Sequence, residues 1–564
     1  MGCHDGKECQ SGGEAKMRVT VDGREISVPE GSTVGACVEA AQGAGRHVLA
    51  AQCGGQVLEL NDAAPEMGSL ITLTLRDDEG RRIYERSLRF VMLLALRRTQ
   101  PGRQVRIEYS VGHGVFVRLP GVRMSPEDVA QTERVMREVT ARDLPFEKKT
   151  WQKEDAVRYF AADGQEDKVA LLRYRPFSFF RMYGCGGMWE YFYGAMAPST
   201  GCVSVFALHP HEGGFVLLLP TAEQPDAPAA YIDRPKHLQV FSQSARWCEI
   251  LSVLNAADLN DLMARRQMRA FIRVNEALHD KAIAAIADQI VSGGRRIVLV
   301  AGPSSSGKTT FAGRLGIHLR VLGRRAVQVS LDNYYLDRDT LPREADGSVD
   351  LESIHTLDVP LLRRHLAGLL AGDEVEVPRF SFLRGKREET GNRLRLGPED
   401  IVIIEGIHGL NPSLSEGLPQ DVIHRVFVSA LTCINLDDHN RIRTTDVRLL
   451  RRIVRDHQFR GTMPEETLAM WPSVRRGEET WIFPWQEQAD SVFNTALHYE
   501  LPVLKYYASA LLREVSPDCP QYLLARRLCK TLNYFSAIDP GMLDEIPPLS
   551  LEREFIGGCT IDKA

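Results

Sequence analysis

The chain has no apolar run long enough to cross a membrane. The densest stretch near the N-terminus, Phe90 to Leu96, stops far short of the ~20 residues a bilayer-spanning helix needs. Cysteine is present but unpatterned: eleven residues, an odd number, with no Cys-x-x-Cys pair, which argues for reduced thiols and against a zinc ribbon or a disulfide framework. Met1 to Lys16 is polar and lacks the apolar segment of a secretory signal, so the chain is expected in the cytoplasm. Cys3, His4 and Cys9 carry donor atoms that a metal uses, but 1–16 reads as a disordered tail. An excess of positive charge is also missing. Lys and Arg number 69 against 74 Asp and Glu, a net charge of −5, so nucleic acid or an anionic membrane would need a local patch.

What is present is globular. With 564 residues the chain is three to four times an ordinary domain of ~150. Its 44% hydrophobic and 25% charged residues suffice for sizeable cores. From Met17 the text alternates apolar and polar residues around an Asp22-Gly23 hairpin signal, then runs into an alanine-rich helix, predicting a β-grasp unit over 17–76. An α+β domain is expected over 77–239, with an amphipathic helix from Pro126 to Arg142 and a strand from Phe215 to Leu219. Leu259, Leu262 and Met263, then Ile283, Ile286 and Ile290, carry helical spacing and predict a helical connector over 240–290. From 291 to 515 apolar runs alternate with helical patterns, the signature of a parallel sheet wound with helices. Residues 516–564 read as one helix and a tail whose Ile546-Pro547-Pro548 is expected to pack on another domain. The fold class is thus multidomain α/β.

The strongest motif is Gly302-Pro303-Ser304-Ser305-Ser306-Gly307-Lys308-Thr309, a full G-x-x-x-x-G-K-[ST] loop, followed by Thr310. It follows the strand Arg296 to Ala301 and precedes Phe311, Leu315 and Leu319 at helical spacing, which favours a phosphate cradle over an ordinary Gly/Ser turn. Backbone N–H groups would converge on phosphate oxygens, Lys308 would reach the β/γ-phosphates and Thr309 would ligate Mg²⁺. Two acids close apolar strands, Asp332 after 326–331 and Glu405 after 401–404, with the loop expected between them in the sheet. Glu405 suits a metal and Asp332 suits deprotonation of an attacking hydroxyl, with a metal contact as its second role. Arg448, Arg451, Arg452 and Arg455 fall on one helical face, opposite Leu449, Leu450, Ile453 and Val454. They read as a guanidinium lid over the loop. The alternatives are a solvated basic face paired with Asp446 and Asp456, or a nucleic-acid patch.

The ordered motifs GPSSSGKTT, SLDNYY, VPRFSF, IIEGIHGL and RRIVRD resemble the uridine kinase and phosphoribulokinase branch of P-loop kinases over about 291–515. The resemblance implies ATP- and Mg²⁺-dependent phosphorylation of a sugar hydroxyl, best a nucleoside 5′-hydroxyl. It implies Asp332 as base, Thr309 and Glu405 at the metal, Arg455 and Arg460 on the lid, and Asp350 and Arg452 at ribose hydroxyls. Tyr335 would line the pocket and Phe380 would face the base. Where the family reads a pyrimidine, this chain has Phe380, Gly385 and Met470, which implies weak base selectivity. Residues 17–220, through RDLPFEKKTWQKEDAVRYF and APSTG, resemble the TGS and second additional domains of threonyl-tRNA synthetase. The His and Cys positions of that family's editing site correspond here to Arg86, Phe90, Phe192 and Met196, which implies no editing.

A regulatory GTPase is disfavoured, because the chain has no Asn-Lys pair and no Asp-x-x-Gly after the loop. A kinase of another hydroxylated small molecule, and a regulatory nucleotide- or RNA-binding protein, stay open as alternatives. RNA binding by the N-terminal domains and homo-oligomerisation are likewise open.

Overall fold

The computed structural model describes residues 15–43, 47–341, 343, 349–382, 384–388 and 391–561; Cys3, His4 and Cys9 lie outside them. The chain divides into two compact units. One comprises residues up to Tyr159 with Phe177–Ile232, the other Phe160–Pro176 with the residues from Asp233 on. Among the described residues no helix is long and apolar enough to cross a membrane.

The first unit opens with β1 (Lys16–Val21) and β2 (Arg24–Pro29). They join through Asp22 and Gly23, both left-handed at φ 46° and 80°, the paired geometry that matches strand twist in a two-residue hairpin. Helix α1 (Val34–Gln42), capped by the Thr33 side chain, leads to β3 (Ala50–Cys53), β4 (Gln56–Glu59) and β5 (Ser69–Leu73). The order β2-β1-β5-β3-β4, with β1 and β5 parallel, is a β-grasp sheet. Helix α2 (Asp78–Thr99), β6 (Arg106–Val111), β7 (Gly114–Arg118), α3 (Pro126–Ala141), β8 (Glu147–Gln152) and α4 (Lys153–Ala162) follow. A Ser125/Asp128 capping box starts α3. After the return at Phe177 come β9 (Phe179–Cys185), β10 (Met188–Glu190), β11 (Ala207–His211) and β12 (Gly214–Leu218). These form antiparallel sheets β10-β9-β8 and β11-β12-β7-β6. The grasp sheet and the α+β part share a core: Leu49, Ala50 and Leu73 cluster with Ile83, Phe90 and Phe192. Lys148 on β8 pairs with Glu59 at 2.8 Å and with Asp62.

In the second unit, α5 (Glu166–Arg173) is held by Lys168, almost fully buried and bonded to Asp437 at 3.0 Å. The stretch 160–176, expected in the α+β domain, therefore groups with the C-terminal unit. The expected connector is α6 (Pro235–Ile250), α7 (Ala256–Ala264) and α8 (Met268–Ser292). It is a packed layer, since Ile283, Ile286 and Ile290 cluster with Val298, Val300 and Phe311. Then follow β13 (Ile297–Ala301), α9 (Lys308–Val321), β14 (Ala326–Ser330), α10 (Val359–Ala371), β15 (Val375–Glu376), β16 (Arg379–Ser381), β17 (Lys386–Glu388), β18 (Arg393–Leu394), β19 (Ile401–Glu405) and β20 (Ile423–Ser429). The remainder is β21 (Asn435–Asp437), β22 (Asn440–Arg441), α11 (Thr444–Arg460), α12 (Pro464–Gly477), β23 (Ser491–Asn494), α13 (Glu500–Glu514), α14 (Tyr522–Leu532) and α15 (Arg553–Ile556). The main sheet runs β14-β19-β13-β20-β23 and is parallel throughout. This corrects one expectation: β19 lies between β14 and β13, so in sheet order Glu405 stands between Asp332 and the loop. Phe311, Leu315 and Leu319 on α9 are fully buried, each worth about 1.5–3 kcal/mol. The C-terminal stretch Ile546 to Ile561 lies in this same unit, with Leu551 beside Gly307 and Ile561 beside Gly313 of α9.

Candidate phosphate and acceptor site

Residues 302–307 turn from β13 into α9 at the carboxyl edge of the sheet, where open α/β sheets bind ligands. Gly302 has no room for a side chain, as a Cβ there would sit 2.0 Å from the Val428 carbonyl oxygen. Gly307 and Ser305 adopt left-handed φ values of 85° and 56°, which curl the loop. Among the described residues the buried hydroxyls of Ser305 and Ser306 have no hydrogen-bond partner, which leaves them able to bond an oxyanion. Lys308 Nζ donates to the Pro303 carbonyl at 3.1 Å. The Ser304 N–H donates to Glu478 Oε1 at 3.1 Å, and the Thr310 N–H and hydroxyl donate to Glu554 Oε2 at 3.2 and 2.7 Å.

Pairing of β19 with both neighbours aligns Glu405 with Ser330 on one side and Val300 on the other. Asp332 lies two residues past the end of β14, so both acids reach the edge where the loop stands. The aromatic side of the site is Tyr335, Phe380 and Phe382, with ring centroids 5.5 Å apart for Tyr335–Phe380 and 5.3 Å for Phe380–Phe382. Asp350 accepts from the Trp481 indole N–H at 3.4 Å and from the Glu352 N–H at 3.1 Å. A Cβ on Gly385 would lie 2.7 Å from the Arg338 side chain, and Met470 is exposed.

The arginine face of α11 keeps the expected pairing with Asp456 but is not solvated. Arg448, Arg451 and Arg452 are buried and not solvated. Arg448 donates to the Ser304 carbonyl at 3.0 Å and forms a bidentate pair with Glu478. Arg451 bonds residues outside the loop. It binds Glu500 at 2.7 Å and the Thr495 carbonyl at 2.9 Å, and the Thr495 hydroxyl holds the Ser306 carbonyl at 2.7 Å. Arg451 is therefore a brace for the loop, which corrects its place in the lid. Arg452 reaches the Ser304 hydroxyl at 3.0 Å. Arg452, Arg455 and Arg460 all pair with the buried Asp456, at 3.2, 2.7 and 3.4 Å.

A family model for the phosphoribulokinase and uridine kinase family matches residues 297–500. A uridine kinase from Deinococcus deserti is 31% identical over 198 residues, 35% of this chain and 86% of that protein. The chain belongs to the phosphoribulokinase and uridine kinase family. The N-terminal part is similar to threonine–tRNA ligases, among them that of Carboxydothermus hydrogenoformans, 28% identical over 168 residues. That match covers 29% of this chain and spans about a quarter, 26%, of the ligase. Among solved structures, D-glycerate 3-kinase from Cryptococcus neoformans aligns at 17% identity and a TM-score of 0.22, over 47% of this chain and 89% of that one.

The family membership makes the chain a kinase-like phosphotransferase. Burial pushes the Asp332 carboxyl up from its ordinary range, and Lys308, Arg460 and Arg455 oppose the shift. Glu405 is pushed up to about 7 by burial and by Asp332, with Lys308 and a Ser330 hydrogen bond opposing. Burial lowers Lys308, while Glu405, Glu554 and Asp332 support its charge. These interactions place Lys308, Asp332, Glu405, Arg455 and Arg460 in one electrostatic cluster. The sequence reading missed Glu352, Glu478, Trp481 and Glu554. Glu352 is pushed up to about 7 by burial and by Glu478, with Arg452 and Lys308 opposing. A charged residue two positions from Asp350 was its one visible signal. In the first unit, Phe90 and Phe192 meet at 5.9 Å, Met196 joins them in the core, and Arg86 bonds the Ala195 carbonyl. The four positions thus converge on a packed apolar interior.

Proposed function

We propose that the chain transfers a phosphoryl group from ATP to a sugar hydroxyl, best the 5′-hydroxyl of a nucleoside. The observation that carries this reading is the grouping of Lys308, Asp332 and Glu405 beside a loop whose buried Ser305 and Ser306 hydroxyls have no partner among the described residues. Gly302, Ser304, Ser305, Ser306, Gly307, Lys308, Thr309 and Thr310 cradle the triphosphate. The oxygen donors fit Mg²⁺, which takes one or two carboxylates along with phosphates: Thr309 and Glu405 would hold it, with Asp332 alongside. The ion would neutralise charge on the β- and γ-phosphates. Asp332 takes the hydroxyl proton, since a carboxyl raised by burial is a better base than an exposed one. Arg455 and Arg460 balance charge on the transferring group, and Asp456 fixes them in place.

Acceptor recognition rests on Asp350, Arg452 and Tyr335 for the sugar and on Phe380 for the base. Aromatic faces accept any base, whereas edges are read by hydrogen bonds. Gly385 and Met470 offer no such groups, so selectivity for pyrimidines is weak. A screen of nucleosides and sugar phosphates with ATP and Mg²⁺, following ADP release, tests the reading. Strong preference for uridine over inosine, guanosine and adenosine, as kcat/KM, would overturn the base-tolerant pocket. ADP release with sugar phosphates alone would favour another hydroxylated substrate. Release with no acceptor at all would favour the regulatory alternative.

A further inference from the structure

The first turn of α9 carries no acidic residue of its own, although its N–H groups form an anion site. The anion comes from the far end of the chain. Glu554 on α15 accepts from both the N–H and the hydroxyl of Thr310, and among the described residues its carboxylate bonds nothing else. The segment around it is seated in detail. Leu551 is fully buried, with Cδ2 3.2 Å from where a Cβ on Gly307 would be, and Ile561 lies 2.2 Å from a Cβ built on Gly313. Arg553 ties the segment together through the Leu543 and Ile546 carbonyls at 2.7 and 2.8 Å. The Phe555 ring lies 4.8 Å from the Arg451 guanidinium, the same arginine that braces the loop. Glu554 also lies in the field of Lys308 and of Glu405.

We propose that Leu551–Ile561 is an intrasteric plug in which Glu554 occupies the Thr310 donors that a nucleotide phosphate takes. The inference rests on reading the loop as a nucleotide site. A phosphate and a carboxylate cannot both receive the same N–H and hydroxyl, and two anions at one helix N-terminus repel. Nucleotide binding must therefore displace Glu554 and loosen the segment. Glu478 on the Ser304 N–H differs, because Arg448 and Arg475 hold it as part of the loop's own wall.

The test is ADP binding to the full-length protein by calorimetry, with hydrogen exchange of residues 551–561 followed in parallel. Glu554→Ala should bind ADP about tenfold more tightly, since one pair of charge-assisted hydrogen bonds no longer competes. Glu554→Gln, which keeps the shape and removes the charge, should fall between. ADP should speed exchange in 551–561 of the unsubstituted protein, and Glu554→Ala should show that faster exchange without ADP. Equal or weaker ADP binding by both variants, with the unsubstituted protein binding normally, overturns the plug and leaves the kinase reading standing. Exchange in 551–561 unchanged by bound ADP overturns it too. Failure of every form to bind ADP overturns the nucleotide site and the plug together.

Discussion

Arg451 separates a brace from a lid, and replacing it with Met distinguishes the two. Its side chain is fully buried and that of Glu500 nearly so, and their ion pair closes at 2.6 Å. Arg451→Met leaves the Glu500 carboxylate without its partner and beside Glu552, itself fully buried and pushed well up by burial and by Glu500. Breaking one side of such a pair costs about 3–5 kcal/mol, because the remaining charge stays desolvated. For a unit of this size that is a fall in Tm of about 4–7 °C. The double variant Arg451→Met/Glu500→Leu should recover most of the loss, since apolar groups of similar volume replace buried pairs at little or no net loss. Thermal unfolding of the two variants, beside the kcat of each, is the assay. Unchanged Tm with lost turnover in Arg451→Met would refute the brace and return Arg451 to the lid.

Lys308→Ala should abolish turnover with the fold intact, and near-normal turnover would remove the phosphate cradle from the proposal. Asp332→Asn should lower kcat far more than it raises the KM for ATP, since an amide cannot accept the hydroxyl proton; a change in ATP affinity alone would make Asp332 a metal ligand instead. Glu352, pushed up to about 7, gains its charge as pH rises from 6 to 8. An ionised carboxylate accepts more strongly from sugar hydroxyls, so the acceptor KM should fall several-fold over that range and lose its pH dependence in Glu352→Gln; an identical profile in the variant would count against a role for Glu352. Residues 17–240 should not deacylate mischarged tRNA, and deacylation by the full chain that persists in Lys308→Ala would contradict the packed interior at Phe90, Phe192 and Met196.

The parts of the fold and of the site legible in the sequence are local ones. The loop, the ends of β14 and β19, and the turn at Asp22-Gly23 are each specified by a few adjacent residues, so spacing alone exposes them. Sheet order is not local: placing β19 between β14 and β13 depends on crossovers whose course leaves no mark in the strands. The burial of Arg448 and Arg451 was hidden for a related reason. A basic face reads as solvated unless its neutralising acids are known, and Glu478 and Glu500 come from other elements. Lys168 looks like an exposed helix lysine until Asp437 is placed against it. Glu554 lies 244 residues from Thr310 along the chain, beyond any periodic pattern.

The two acids on the loop have different consequences for nucleotide entry. Glu478 sits between Arg448 and Arg475, and burial lowers the Arg448 pKa while Glu478 supports its charge. Removing Glu478 would strand a buried guanidinium, so this acid stabilises the wall whether or not a phosphate is present. Among the described residues Glu554 neutralises no cation by direct contact; its bonds go to a backbone N–H and a hydroxyl, groups that a phosphate satisfies as well. Exchange of Glu554 for phosphate therefore conserves the hydrogen bonds of α9 while freeing a carboxylate to water. The opposition to binding then has two sources, the Glu554 charge at the start of α9 and the packing of Leu551 and Phe555. Trimming those side chains should strengthen nucleotide binding in the same direction as Glu554→Ala, by an amount that follows the apolar contact removed.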